Sequence, residues 1–169
     1  MATRSRVGFV WCIVLLTALV GQSLLASNSW IRLTTKNFEL YSTLDKKQAA
    51  LLLQRLDRAR QGLEQLSFGA QANPVPVRVF AFRSRTEYAP FRSDKAATAY
   101  YLHSRLRNYI VLGGDAVETS EPAVHEYVHY VLHQRFPNLP LWLDEGLAEV
   151  YSTVSRKEGL LRLGLPSES

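Results

Sequence analysis

Cysteine is almost absent from this chain. The only one, Cys12, lies in an N-terminal apolar segment, so the rest of the sequence cannot form an intramolecular disulfide. Zinc sites built on several cysteines are also excluded, and any metal must be bound by His, Asp or Glu. An excess of one charge is missing too, because the net charge of +5 falls to +3 once Arg4 and Arg6 of that segment are left out. Such a weak and scattered basic excess predicts no binding to nucleic acid.

Long hydrophobic runs are missing except at the N terminus. Residues 1–26 have the layout of a secretory signal, with arginines, an apolar stretch and then small residues. Cleavage after Ala26 puts Leu24 where a small residue is preferred, and the apolar run is long enough to span a bilayer. An uncleaved membrane anchor over residues 7–26 is therefore the alternative. In both cases residues 27–169 are expected to form one exported domain, periplasmic or extracellular.

The hydrophobic patterning predicts an α+β fold, with a small, mostly antiparallel sheet packed on helices. Apolar residues spaced i, i+3, i+4 and i+7 predict a long helix over about 45–66, capped by Ser42 or Thr43. Two further helices are expected over 122–136 and 140–155, each with a proline in its first turn. Strands are predicted within 30–42, 77–82, 99–102 and 108–112.

The motif that carries chemistry begins at His125. His125 and His129 are spaced i, i+4, so they lie about 40° apart around a helix and both imidazoles project from one face. Neutral imidazole is a good zinc ligand, and a catalytic zinc needs three protein ligands plus an open position for water. Glu126 is placed to take a proton from that water. The apolar neighbours over 123–132 predict a buried helix, in which unpartnered histidines would be costly. The pattern therefore predicts a zinc site.

The third ligand is expected on the following helix. Glu145 is favoured, and Asp144 and Glu149 are competitors for the same position. Glu149 lies i, i+4 from Glu145, so it is expected to accept a hydrogen bond from the remaining ring nitrogen of His125. An ordinary surface charge is the alternative for Asp144. Gly146 is expected to let this helix approach the metal closely, because it carries no side chain.

His133 continues the i, i+4 series of histidines. A third ligand one more turn along the helix would lie about 6 Å farther down the axis. Zinc–nitrogen bonds of about 2 Å do not allow all three histidines to bind one ion. His133 is therefore expected to interact with the macrodipole at the C-terminal end of the helix. His103 has no spacing argument and is expected to be an ordinary residue.

Two motifs together resemble the gluzincin metallopeptidases. They are His-Glu-Tyr-Val-His at 125–129 and Trp-Leu-Asp-Glu-Gly-Leu-Ala-Glu at 142–149. The second motif is most similar to the peptidase-MA-like branch, and the likeness extends over residues 77–155. The resemblance implies a zincin-like fold, a bound Zn²⁺ and a peptide or protein substrate. It implies zinc ligation by His125, His129 and Glu145, with Glu126 as the catalytic base.

The resemblance also bears on the rest of the cleft. It implies that the strand at 108–112 is an edge strand, along which an extended peptide binds in antiparallel orientation. Relatives continue into a subdomain that closes the cleft and supplies a hydrogen-bond donor to the oxyanion, whereas this chain ends 24 residues after Glu145. A truncated product, a fragment and a minimal one-domain member are the alternatives. Tyr100, Tyr101 and Tyr151 are candidate donors, although each is also expected to be a packing aromatic.

The expected activity is the hydrolysis of peptide bonds by a zinc-activated water. Two alternatives come from other functional classes. The first is a zinc-retaining domain with an incomplete cleft and weak or no activity. The second is a membrane-anchored interaction module in which the histidine–glutamate pattern is accidental.

Overall fold

The chain folds into an α+β domain, as the patterning predicts. The computed structural model describes residues 29–68, 75–92 and 94–164, so the predicted signal or anchor over 1–26 lies outside the described residues. None of the helices within those residues combines the length and the apolar character that a membrane crossing requires. The elements in chain order are β1 (Ile31–Thr34), β2 (Phe38–Ser42), α1 (Lys46–Leu63), a π-helical turn (Glu64–Phe68), β3 (Val77–Ala81), α2 (Arg85–Tyr88), β4 (Ala99–His103), β5 (Asn108–Leu112), α3 (Gly114–Thr119), α4 (Glu121–Arg135), α5 (Leu141–Ser152), β6 (Ser155–Lys157) and β7 (Leu160–Arg162).

The main sheet has five strands in the order β1-β2-β3-β5-β4. Strands β2, β3 and β5 run parallel to one another, and β1 and β4 run antiparallel to their neighbours at the two edges. The sheet is therefore mixed, and the prediction of a mostly antiparallel sheet is wrong. The reason lies in the connections: α1 links β2 to β3, and such a helical crossover is long enough to join parallel strands.

Strand β5 is not an edge strand, which corrects a second expectation. It lies between β3 and β4 and is hydrogen-bonded on both sides. The edge on this side of the sheet belongs to β4. The two strands form a tight hairpin in which Ser104 N–H donates to Arg107 C=O at 3.0 Å, and either strand of such a hairpin can be the outer one. The edge that faces solvent is thus one strand farther from the centre of the sheet than expected.

Helix α1 starts and ends differently from the prediction. Its N-cap is Asp45, whose carboxylate accepts a hydrogen bond from the backbone N–H three residues later at 2.8 Å. Neither Ser42 nor Thr43 caps the helix; the Ser42 hydroxyl instead donates to Ala81 C=O at 2.8 Å. The α-helix ends at Leu63, and the π-helical turn then takes over.

Helices α1 and α4 cover one face of the sheet and form the core with it. Burial of these large apolar side chains supplies the main favourable term in folding. The other face of the sheet carries aromatic rings and a buried carboxylate, Glu39. The largest fully buried side chains that the sheet and the two helices contribute to the core are those of Phe38, Leu40, Val79, Ile110, Leu112, Leu52, Leu56, Leu63, Tyr127, Val128 and Leu132.

The chain beyond α5 forms a small hairpin of β6 and β7. Glu158 and Gly159 form its two-residue turn with φ of 53° and 80°, the backbone that a tight hairpin of this length requires. The hairpin region packs on α1, where a Cβ added at Gly62 would lie 2.7 Å from Cγ2 of Val154.

Candidate metal centre

Two consecutive helices carry the residues predicted to bind metal. Helix α4 begins at Glu121 with Pro122 in its first turn, as expected. Pro140 is the residue before α5 rather than part of its first turn. A short connection turns α5 back against α4, and the two helices pack along their length. Side chains from both helices therefore reach the same place.

The three predicted ligands come together at this helix pair. Nε2 of His125 and Nε2 of His129 are 3.1 Å apart. Oε2 of Glu145 lies 3.5 Å from the first of these atoms and 3.7 Å from the second. The side chain of Glu145 is 55% exposed, so the group opens to solvent.

These distances fit a metal ion. Bonds of about 2.0–2.1 Å at tetrahedral angles put two ligand atoms about 3.3 Å apart. A triangle with the three measured sides has a centre about 2 Å from each corner. Two imidazoles and one carboxylate are also the donor set of catalytic zinc sites that keep a fourth position open for water. The residues present therefore fit zinc.

The electrostatic surroundings favour the ligand form of His125. Burial lowers the pKa of this imidazole, and the charge of His129 lowers it further. The carboxylates of Glu145 and Glu149 oppose the change without cancelling it. His125 is therefore neutral at neutral pH, with a lone pair available to a metal.

Glu126 lies beside the three ligands with a perturbed carboxylate. Burial raises its pKa, and the charge of Glu145 adds to this, while His129 and a hydrogen bond from the Tyr101 backbone oppose it. The net pKa is above the usual value. A carboxylate with a raised pKa is a stronger base, as a group that accepts a proton from water must be.

The same hydrogen bond places Glu126 at the free edge of the sheet. The Thr98 C=O accepts a hydrogen bond from the Gly113 N–H, and the Ser104 N–H donates one to the Arg107 C=O, so both residues pair towards β5. Backbone groups alternate between the two sides of an antiparallel strand, so the N–H and C=O of Tyr101 point away from β5. The Glu126 carboxylate therefore lies at the unpaired edge of β4.

Glu149 was predicted to accept a hydrogen bond from His125. Its Oε2 is 3.8 Å from Nδ1 of His125, and its side chain is 81% exposed. This separation is too long for a hydrogen bond. Glu149 thus lies on the expected side of His125 but exerts only a charge effect there.

Asp144 has a role that sequence reasoning missed. Its Oδ2 lies 2.8 Å from Nε2 of His133 and 3.2 Å from Nδ1 of His129, although the second pair is not aligned as a hydrogen bond. Asp144 is buried, so the alternative of an ordinary surface charge is wrong. Burial raises the pKa of Asp144, but the hydrogen bond with His133 and the charges of both histidines outweigh it and lower the pKa overall.

His133 lies in the last turn of α4, as predicted, but its ring faces Asp144 on the next helix. The sequence feature that pointed to this contact is the i, i+4 spacing of His133 from His129, which puts His133 on the same helix face as the two candidate ligands. His129, His133 and Asp144 also meet the distances of a metal group. A neutral imidazole has one lone pair, so His129 can serve this group or the one with Glu145 but not both.

The tyrosines considered as oxyanion donors are engaged elsewhere. The Tyr100 hydroxyl donates to Phe91 C=O at 2.7 Å, and the Tyr101 hydroxyl donates to Oδ1 of Asn108 at 2.8 Å. Tyr151 also has an interaction of its own. Nδ1 of His103 lies 2.9 Å from Oδ1 of the same asparagine.

Comparison with models of known protein families, with curated proteins and with solved structures finds no match to this chain. The likeness to the gluzincins therefore rests on the two motifs alone. The geometry of the three candidate ligands is an observation separate from that likeness, because it depends on how two helices pack.

Proposed function

We propose that this protein is a zinc-dependent metallopeptidase of the gluzincin type. The observation that carries the proposal is the convergence of His125, His129 and Glu145, with ligand atoms 3.1–3.7 Å apart. Three such donors around an open fourth position are typical of catalytic rather than structural zinc. The proposal includes a zincin-like fold, supported by the helix that carries both histidines and lies beside the edge of a mixed sheet.

His125, His129 and Glu145 would hold the ion. When bound, zinc lowers the pKa of a water molecule and polarises the scissile carbonyl. Glu126 accepts the proton of that water, which its raised pKa favours, and delivers it to the leaving amine. The charge of Asp144, with Oδ2 3.2 Å from Nδ1 of His129, favours a proton on that nitrogen and so keeps the lone pair of the ring on Nε2.

The substrate in this proposal is an extended peptide bound along β4. Strand β4 takes the place of β5, the strand expected to bind the peptide, because β5 is hydrogen-bonded on both sides. The N–H of Tyr101 is taken up by Glu126, but its outward C=O can accept a hydrogen bond from a peptide backbone. Backbone pairing of this kind carries little preference for side chains, so peptides and unfolded segments of proteins are the expected class.

We further propose that the protein acts outside the cytoplasm. The support is the sequence of residues 1–26, with its arginines followed by an apolar stretch. A cleaved signal and an uncleaved anchor over residues 7–26 both export the remaining chain. Mass spectrometry of the mature N terminus distinguishes the two.

A zinc-binding domain without turnover is the second candidate. Its support is that Tyr100 and Tyr101 donate their hydroxyl hydrogens to other groups, so neither is available to an oxyanion. This candidate keeps the same three ligands. It differs in predicting that Glu126→Gln changes no activity, because there is none to change.

The deciding experiment measures zinc content and peptide cleavage on the same samples of the full-length chain, Glu145→Ala and Glu126→Gln. We expect about one zinc per chain in the wild type and in Glu126→Gln, and loss of zinc in Glu145→Ala. Cleavage should be lost in both variants. Zinc without cleavage in the wild type would favour the second candidate. A wild-type protein that retains no zinc when the metal is supplied overturns both.

A further inference from the structure

A small cavity lies at the N-terminal end of β4. Its volume is about 140 Å³, and it is lined by α2 and by the loop that leads into β4. The charged side chains described in its lining are all cationic: Arg85, Arg92 and Lys95. The guanidinium of Arg92 donates to Lys95 C=O at 3.2 Å, which holds the loop together. Asp94, in the same loop, accepts a hydrogen bond from a backbone N–H at 2.7 Å and is not part of the described lining.

The lining also contains a buried hydroxyl that lacks a partner. Tyr88 is 3% exposed, and its Oη has no hydrogen-bond partner among the residues that the structure describes. Burial, followed by the charges of Tyr100 and Glu126, raises the pKa of Tyr88 to about 12, so the hydroxyl remains a donor at neutral pH. Buried polar atoms without partners are rare in native proteins. An acceptor entering the cavity would satisfy this one.

The position of the Tyr88 ring is constrained by its neighbour Gly113. A Cβ added at Gly113 would lie 2.6 Å from the ring of Tyr88, so the ring occupies space that any other residue at 113 would fill. Gly113 also lines the cavity and donates its N–H to Thr98 C=O at 2.8 Å. The cavity wall is thus continuous with the end of the β4–β5 hairpin.

The cavity lies within reach of the proposed reaction centre. Thr98 lines it and precedes Tyr101 by three positions, which is roughly 10 Å along an extended strand. Tyr101 in turn donates its N–H to Glu126. The charge of Glu126 acts on the Tyr88 hydroxyl, so the two groups lie on the same side of the molecule.

We propose that this cavity binds a carboxylate of the peptide substrate, two or three residues beyond the cleaved bond on the leaving-group side. The inference rests on the proposed peptidase function. The cationic lining attracts a carboxylate, and the Tyr88 hydroxyl offers it a hydrogen bond. A free C-terminal carboxylate and the side chain of Asp or Glu share this chemistry.

The charge of the cavity also sets the direction of the peptide. In antiparallel pairing with β4, the C-terminal part of the substrate lies towards Thr98 and the cavity. In parallel pairing, the N-terminal amine would meet Arg92 and Lys95 instead, and like charges repel. The cationic cavity therefore favours antiparallel binding. The three positions from Tyr101 to Thr98 put the carboxylate two or three residues beyond the cleaved bond.

The test compares matched N-acetylated peptides of four to six residues. Each occurs as a C-terminal acid and as a C-terminal amide, and further amides carry Asp or Asn at the second or third position after the cleaved bond. We expect kcat/KM for the acid forms to exceed that for the amides by roughly tenfold or more, because charge-assisted hydrogen bonds are the strong ones. The Asp-containing amides show whether an acidic side chain replaces the terminal carboxylate.

Three variants connect this preference to the cavity. In the double variant Arg92→Gln, Lys95→Gln the acid-to-amide ratio should fall towards one. In Tyr88→Phe the ratio should fall while the free energy of unfolding stays equal or rises, because a buried unpaired hydroxyl has been removed. Arg105→Gln is the control, since it removes one positive charge from the turn at the opposite end of β4 and should keep the wild-type ratio.

Binding of the same peptides to zinc-loaded Glu126→Gln, measured by calorimetry, separates the two proposals. Cleavage without an acid preference overturns the cavity assignment and leaves the peptidase proposal standing. Tighter binding of the acids that is lost in the double variant, without cleavage by the wild type, supports the carboxylate site and removes the peptidase function. If the acids are not preferred and no peptide is cleaved, both proposals are overturned.

Discussion

Nε2 of His133 lies 2.8 Å from Oδ2 of Asp144, which joins the last turn of α4 to the first turn of α5. The same carboxylate oxygen is 3.2 Å from Nδ1 of His129. One buried carboxylate therefore stands between a candidate ligand and a histidine that binds no metal in the proposed site. We expect this contact to fix the orientation and tautomer of His129.

Replacement of Asp144 should weaken zinc binding without removing a ligand. We expect Asp144→Asn to raise the Kd for zinc by roughly 10–100-fold, since groups that orient ligand imidazoles have effects of this size. His133→Gln should act in the same direction with a smaller effect, because it acts through Asp144. Competition titration with a chromophoric chelator measures both.

Glu149→Gln is the control for this prediction. Its carboxylate is 3.8 Å from His125 and mostly exposed, so its charge is screened by solvent and its loss should change the Kd for zinc little. A larger loss of affinity in Glu149→Gln than in Asp144→Asn would contradict the geometry described for these two carboxylates.

Removal of the metal should lower the thermal stability of the protein. A ligand present at about 100 times its Kd contributes about 2.7 kcal/mol to the folded state. For a domain of this size that corresponds to a fall in Tm of roughly 5–10 °C when zinc is removed with a chelator. Calorimetry should show no such fall in Glu145→Ala. An equal response of wild type and variant to the chelator would mean that Glu145 is not a ligand.

Glu39 should make the fold sensitive to acid. A hydrogen bond from Arg78 is the main cause that lowers the pKa of this carboxyl to about 2; burial opposes it, and Tyr41 and Arg32 assist. The folded pKa is thus below the unfolded value of 4.5, so the contribution to stability is complete above pH 4.5 and is lost as the pH falls towards 2. Denaturant unfolding at several pH values measures this loss.

The variant Glu39→Gln should remove that dependence. At pH 7 we expect it to lower the free energy of unfolding by about 1–3 kcal/mol, because it leaves the guanidinium of Arg78 without a charged partner. Between pH 4.5 and 2 its stability should vary less than that of the wild type. Glu118→Gln, at an exposed position, serves as control and should retain the wild-type acid profile.

Two glycines at helices should respond in opposite ways to alanine. A Cβ at Gly146, inside α5, would meet no protein atom within 4 Å, so the described residues leave room for a side chain there. Gly146→Ala should raise the free energy of unfolding by about 0.5–1 kcal/mol and keep zinc binding. A Cβ at Gly114, the first residue of α3, would lie 2.6 Å from the backbone oxygen of Arg83. Gly114→Ala should therefore lower stability by about 1–3 kcal/mol, as denaturant titration would show.

The features that could be read from the sequence are those that depend on neighbours along the chain. The spacing of His125 and His129 places both rings on one face wherever the helix packs, because 3.6 residues make a turn. The apolar periodicity of α1 and the alternation of β3 gave their positions for the same reason. The end of α1 was missed by a few residues, because a π-helical turn follows it and apolar periodicity does not distinguish the two kinds of helix.

The order of the strands and the packing of α5 on α4 could not be predicted from these local patterns. Alternation of polar and apolar residues is the same in parallel and antiparallel strands, so it did not reveal that β5 lies inside the sheet and β4 at its edge. The exposed position of Glu149 and the buried position of Asp144 also depend on the rotation of α5 against α4. Both residues are acidic and lie on one short helix, so composition alone does not separate them.

The sequence by itself determined the chemistry that is available: two imidazoles on one helical face, a carboxylate beside them, more carboxylates on the next helix, and no cysteine after Cys12 to compete. The tertiary structure decided which of these groups meet. It brought Glu145 to the two histidines, put Asp144 behind His129, and set Glu126 at the edge of β4, the strand that leads from a cationic cavity. The physical reason is that residue type and helical period determine structure only over a few neighbouring positions in the chain. Distances of 3–4 Å between side chains of different elements depend on how whole elements pack.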